Sequence, residues 1–208
     1  MNRTPTGLVA ILRGITPQEA QEVGQLLYDT GFRALEVPLN SPDPLTSIRL
    51  LRNTLPGDCA VGAGTVLTVE EVLAAHEAGS GIIVSPVADP EVITETVRLG
   101  MSSYPGVATP TEAFTAVKAG ARSLKLFPSD AVGIAGMKAW QAVLPQDIEF
   151  LPVGGVDADN LKAWVAAGAS GAGIGSSLYK PGITPADLSS RATALVQAWR
   201  SALGDNEK

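Results

Sequence analysis

Lys118-Ala119-Gly120-Ala121-Arg122-Ser123-Leu124-Lys125-Leu126-Phe127-Pro128 joins the end of one helical pattern to the strand that follows it. A glycine at a helix C-terminus takes the left-handed cap conformation, and the chain turns there into the next element. Ser123–Phe127 reads as a short strand that Pro128 ends. Side chains alternate along a strand, so Leu124 and Leu126 face one way while Ser123, Lys125 and Phe127 face the other. Of the six lysines, only Lys125 lies inside an apolar strand pattern. Burying an ammonium is costly; it lowers the amine's pKa and frees it to attack a carbonyl. The alternatives are a lysine snorkelling at a strand end or one paired with a carboxylate.

The same junction recurs in DTGFRALEV, EAGSGIIVS, RLGMSSYPG and AAGASGAGI. With Gly120, their glycines are Gly31, Gly79, Gly100 and Gly168, at gaps of 48, 21, 20 and 48 residues. Each long gap holds a further strand, VGAGTV or EFLPVGG, so the period is about 20 to 24 residues. With the first strand this predicts eight: Leu8–Arg13, Ala34–Pro38, Ala60–Gly64, Ile82–Ser85, Ser102–Pro105, Ser123–Phe127, Glu149–Val153 and Gly171–Ile174. Thr16-Pro17-Gln18-Glu19, Thr68-Val69-Glu70-Glu71 and Thr109-Pro110-Thr111-Glu112 open helices between them with a capping hydroxyl and a later acid. Eight alternating units predict an α/β fold of the compact (β/α)8 TIM-barrel type, in one domain spanning residues 1–208. A doubly wound sheet, a solenoid or two small domains are the alternatives; no linker favours the last. Pro185–Leu203 reads as a closing helix and Gly204–Lys208 as a loose tail.

The 208 residues are 45% hydrophobic and 17% charged, enough for a sizeable core. A net charge of −6 without a basic run argues against nucleic acid. No apolar segment approaches the roughly 20 residues that span a bilayer, and the start lacks a secretory pattern. The single cysteine, Cys59, fits a reducing cytoplasm and reads as a small buried residue. The single histidine, His76, reads as a helix-surface residue, so no His/Cys metal site is expected.

In barrels chemistry sits at the C-terminal strand ends. Glu36, opposite in facing to Leu35 and Val37, is expected to point inward like Lys125. An inward amine and an inward acid suit imine chemistry, with the carboxylate moving protons; a buried ion pair is the alternative. Gly154-Gly155 and Gly175-Ser176 follow the last two strands. There backbone N–H groups close on a phosphate, unless these are plain tight turns. With few basic residues nearby, those N–H groups and Ser176 are expected to hold the anion. Arg13 ends the first strand, where its fork suits a carboxylate or simply faces solvent. Thr65 either bonds substrate or caps a helix, and Asn40 and Ser41 either hold Glu36 or touch substrate.

AILRGITP, LEVPLNSP, VGAGTVL, SLKLFPS, PVGGV and GIGSSLY, in that order from Leu8 to about Tyr179, resemble the family of 2-keto-3-deoxy-6-phosphogluconate and 4-hydroxy-2-oxoglutarate aldolases. Asn40, four residues after the glutamate, and Val153, before the glycine pair, are similar to its galactonate branch, which also has an arginine at the position of Arg13. The resemblance implies a metal-independent, cofactor-free class I aldolase, homotrimeric and cytoplasmic. Its implied reaction cleaves a phosphorylated keto-sugar acid, the galactonate epimer, to pyruvate and glyceraldehyde 3-phosphate in galactonate breakdown. It implies Lys125 as the Schiff-base lysine, Glu36 as acid/base and Thr65 as a pyruvyl contact. Pro86 and Phe127 fall in the pocket; Gly154, Gly155, Gly175 and Ser176 fall on the phosphate; Arg13 takes the carboxylate. A gluconate-type aldolase, an isomerase or epimerase barrel and a non-catalytic sugar-phosphate-binding barrel are the rival readings.

Overall fold

A computed structural model describes residues 7–206. Among these residues nine strands run β1 (Leu8–Ile11), β2 (Ala34–Pro38), β3 (Ala60–Gly64), β4 (Ile82–Val84), β5 (Ser102–Tyr104), β6 (Gly106–Val107), β7 (Ser123–Leu126), β8 (Glu149–Pro152) and β9 (Ala172–Ile174). Eight helices lie between and after them: α1 (Pro17–Thr30), α2 (Pro44–Thr54), α3 (Val69–Glu77), α4 (Pro90–Arg98), α5 (Pro110–Lys118), α6 (Ser129–Gln141), α7 (Leu161–Ala166) and α8 (Pro185–Asn206). The five repeat glycines all have positive φ, from 78° at Gly100 to 124° at Gly31, as the helix-to-strand junction requires. The predicted caps form. Thr68 Oγ1 accepts the Glu71 N–H at 3.2 Å, and Glu112 accepts the Thr109 N–H at 2.9 Å. Glu19 accepts the Thr16 N–H at 3.0 Å.

All pairings are parallel, in a six-stranded sheet ordered β5-β4-β3-β2-β1-β9 and a three-stranded sheet ordered β6-β7-β8. This is an α/β fold with a curled parallel sheet. The repeat predicts one unbroken strand at Ser102–Pro105 and one closed ladder, whereas the structure splits that strand and divides the ladder. The reason is Pro105, which has no N–H to give. Its carbonyl still accepts the Lys125 N–H at 2.9 Å, so the chain passes from one sheet to the other there. On the opposite side the Val153–Gly173 bridge and the Ser170 N–H on the Phe150 carbonyl at 3.0 Å link the two. The closing helix begins as expected but continues to Asn206, so Gly204 is helical rather than part of a tail; residues 207–208 lie outside the described residues.

Strand alternation divides the core into two layers. Leu35, Val37, Val61, Ala63, Leu124 and Leu126 pack outward against helix residues such as Leu27, Ile48 and Leu51. Val9, Ala34, Ile82, Val84, Tyr104 and Leu151 form a smaller inner cluster. Fully burying one such aliphatic side chain contributes about 1.5–3 kcal/mol, so the outer layer carries most of the stability and the inner one shapes the site. Cys59 is buried and His76 is exposed, as the sequence predicts. No described helix is long and apolar enough to cross a membrane.

Candidate active site

Glu36 is the central residue of β2, beside Ile11 of β1 and Gly62 of β3. With Leu35 and Val37 in the outer layer, its side chain turns inward and is 2% exposed. Gly64 makes the room: a Cβ there would overlap the Glu36 carboxylate. Burial raises this carboxyl to about 7, against the opposing pull of Lys125 and Arg13. Its Oε2 is buried without a hydrogen-bond partner among the described residues.

Lys125 projects from β7 and is 7% exposed, so it does not snorkel to solvent. Burial lowers its pKa; Glu36 works against that shift, and Arg13 adds to it. The ammonium lies 4.5 Å from the centre of the Phe127 ring, two residues along the same strand face. Ion pairs form at Arg33–Asp58, Arg98–Glu95 and Arg122–Asp147, but Glu36 and Lys125 do not pair directly, so the alternative of a Glu36–Lys125 ion pair is not what forms. The two groups line one cavity instead, each pushed toward its neutral form. That is the pairing expected of an acid/base group beside a nucleophilic amine.

The cavity, about 900 Å³, opens at the C-terminal ends of the strands. Arg13, Thr65, Pro86, Phe127 and Val153 line it with Glu36 and Lys125. Gly154, Gly155, Gly175 and Ser176 line its far side. Of the predicted residues, Asn40 and Ser41 do not reach the wall. Asn40 Oδ1 accepts from Arg13 Nη1 at 2.6 Å, and Arg13 Nη2 donates to Thr65 Oγ1 at 3.4 Å. Thr65 adopts φ 58°, unusual for a β-branched residue, which turns the chain sharply out of β3. Neither Asn40 nor Ser41 holds Glu36; Ser41 Oγ accepts the Gly14 N–H at 2.9 Å.

Gly154 and Gly155 have φ of 100° and 67°. Their carbonyls are tied back into the protein, Gly154 by Ser129 Oγ at 2.5 Å and Gly155 by Asn160 Nδ2 at 2.7 Å. The turn after β9 is closed by the Leu178 and Tyr179 N–H groups on the Gly175 carbonyl at 2.9 and 3.0 Å. Sequence reasoning missed Lys180, Asp157 and Tyr179, which also line the cavity. Lys180 changes the expected chemistry, because this end then holds a cation as well as glycine turns and Ser176. Its place four residues beyond Ser176 was the available signal. Tyr179 gave none: its hydroxyl donates to Glu19 Oε1 at 2.9 Å, a contact across 160 residues of chain. Among the described residues no group of three or more His, Cys, Asp or Glu side chains is placed to hold a metal.

Comparison with known proteins accords with this geometry. The family model for KDPG and KHG aldolase matches residues 3–193. The 2-dehydro-3-deoxy-6-phosphogalactonate aldolase of Escherichia coli strain K12 is 47% identical over 97% of this chain and 98% of its own length. A probable 2-dehydro-3-deoxy-6-phosphogalactonate aldolase of Rhizobium meliloti strain 1021 is 46% identical over 96% of this chain and 94% of its own. A solved structure described as native KDPGal superposes with a TM-score of 0.94 at 46% identity, covering 97% of this chain and 98% of that one. With a cavity that pairs an inward lysine and an inward glutamate, and a match to the family along most of its length, the chain belongs to the KDPG and KHG aldolase family.

Proposed function

We propose that this protein is a class I aldolase that cleaves 2-dehydro-3-deoxy-6-phosphogalactonate to pyruvate and glyceraldehyde 3-phosphate. The observation that carries the reading is the buried Lys125 facing the same cavity as the buried, unpaired Glu36. The relatives of nearly equal length named for this activity supply the substrate. A KDPG aldolase from Legionella pneumophila, 25% identical with a TM-score of 0.80, is described with pyruvate captured as a covalent carbinolamine, which accords with imine chemistry in the family.

The Lys125 amine attacks the C2 ketone, and Glu36 delivers the proton with which the carbinolamine hydroxyl leaves as water. The Glu36 carboxylate then takes the C4 hydroxyl proton as the C3–C4 bond breaks. The electron pair passes into the iminium, giving an enamine and the free aldehyde. The same group returns a proton to C3, and water hydrolyses the pyruvyl imine to release Lys125. Arg13 anchors the carboxylate, with Thr65 beside it. Gly154, Gly155, Gly175 and Ser176, with Lys180 near them, take the phosphate. Phe127, Pro86 and Val153 pack the carbon chain between these ends.

The two sheets would act together as one closed (β/α)8 barrel in a single domain, which the Val153–Gly173 bridge and the unbroken chain through Pro105 favour. The single, buried Cys59 suits a cytoplasmic setting. Treating the protein with pyruvate and borohydride and mapping the modified peptide tests the mechanism: label on Lys125 is expected, and label on Lys118 or Lys138 would refute it. Pyruvate release from the galactonate and gluconate epimers, measured side by side, tests the substrate.

A further inference from the structure

The loops after β1 and β2 are joined by two neighbouring rungs. Arg13 Nη1 donates to Asn40 Oδ1 at 2.6 Å, and the Gly14 N–H donates to Ser41 Oγ at 2.9 Å. The second loop is itself anchored, since the Leu39 N–H donates to the Gly64 carbonyl at 2.8 Å and the Ser41 N–H to the Pro38 carbonyl at 2.9 Å. Arginine only donates, so its partner on Asn40 is necessarily the amide oxygen. Arg13 lines the cavity and Asn40 does not. The long arginine side chain is exposed at the mouth, and without a tether it would sample many rotamers that binding must then freeze out. Two contacts, to Asn40 and Thr65, use two of its five N–H donors and leave three for a ligand.

We propose that Asn40 is a positioning residue that acts through Arg13, holding the guanidinium ready for the substrate carboxylate without touching substrate itself. The proposal rests on the reading of Arg13 as the carboxylate anchor. A neutral amide suits this task. A carboxylate in its place would also hold the fork, but would neutralise it and compete with the incoming anion.

The test is a double-mutant cycle on pyruvate half-saturation in methyl-proton exchange, with inhibition by inorganic phosphate and thermal unfolding measured alongside. Asn40→Ala should raise half-saturation roughly 2- to 12-fold, the span of one net hydrogen bond. Phosphate inhibition and the unfolding midpoint should not move, and in an Arg13→Ala background Asn40→Ala should add nothing. Asn40→Asp should weaken pyruvate more than Asn40→Ala does. An equal loss from Asn40→Ala in both backgrounds would mean that Asn40 meets substrate directly, and wild-type values for Asn40→Ala would remove any positioning role; either overturns the proposal. If Arg13→Ala weakens pyruvate while Asn40→Ala does not, the anchor reading survives alone. If Arg13→Ala leaves pyruvate unchanged, both fall.

Discussion

Glu36 is held where its charged form is disfavoured, and that has a signed consequence for pH. Its carboxyl titrates near 7 in the fold, against about 4.5 for an ordinary glutamate. Between those values the folded state binds more protons than the unfolded chain, so its contribution to stability falls as pH rises through that window and is flat above it. Glu36→Gln should therefore be more stable than wild type at pH 8, by about 3 kcal/mol at most, and should lose the advantage near pH 4. Denaturant titrations at the two pH values measure this. Lys125 works in the opposite sense: its pKa is lowered, so its cost to the fold is lifted as pH climbs toward the ordinary lysine value. In turnover, Glu36→Gln should lower kcat by about 10²–10⁴-fold, with pyruvate proton exchange falling in step. Both side chains were legible because strand alternation dictates facing. Asn40 was placed on the right loop with the wrong partner, since a polar side chain on a turn has no periodicity to aim it.

On β3 two glycines serve different ends. A Cβ on Gly64 would overlap the Glu36 carboxylate, whereas one on Gly62 would drive into the Ile82 backbone carbonyl of β4. A side chain can yield by changing rotamer, but a paired backbone cannot. Gly64→Ala should thus fold but displace Glu36, lowering kcat at least tenfold with a modest loss of stability. Gly62→Ala should cost about 1–3 kcal/mol or more, the range for overpacking. Gly57→Ala, where a Cβ meets nothing within 4 Å, serves as the control. Thermal unfolding and steady-state kinetics on the three variants separate these effects. At this scale the helix-capping hydroxyls and the repeat glycines were readable because each element end has its own chemistry. The break at Pro105 was not anticipated: a proline at a strand end and one that interrupts a strand look alike until the neighbouring ladder is known.

For the whole molecule, the resemblance implies a homotrimer. Leu67 and Val87, on the loops after β3 and β4, are 47% and 50% exposed and offer apolar surface for it. Sedimentation equilibrium should give a trimer, and Leu67→Glu with Val87→Glu should shift it toward monomer; a monomeric wild type would refute the expectation. The divided ladder has a consequence of its own. Glu36, Arg13 and Thr65 belong to the six-stranded sheet or its loops, while Lys125 and the Gly154–Gly155 turn belong to the three-stranded one. The gap between the proposed nucleophile and its proposed proton carrier therefore spans a seam, crossed by the Val153–Gly173 bridge and the Ser170 N–H on the Phe150 carbonyl rather than by a full ladder. Mechanical compliance is therefore expected along the line between the proposed nucleophile and the proposed acid/base group. Substitutions at Pro105, which accepts the Lys125 N–H, or at Gly173, which lines the cavity, carry no proton of their own and are the ones expected to retune the temperature dependence of turnover.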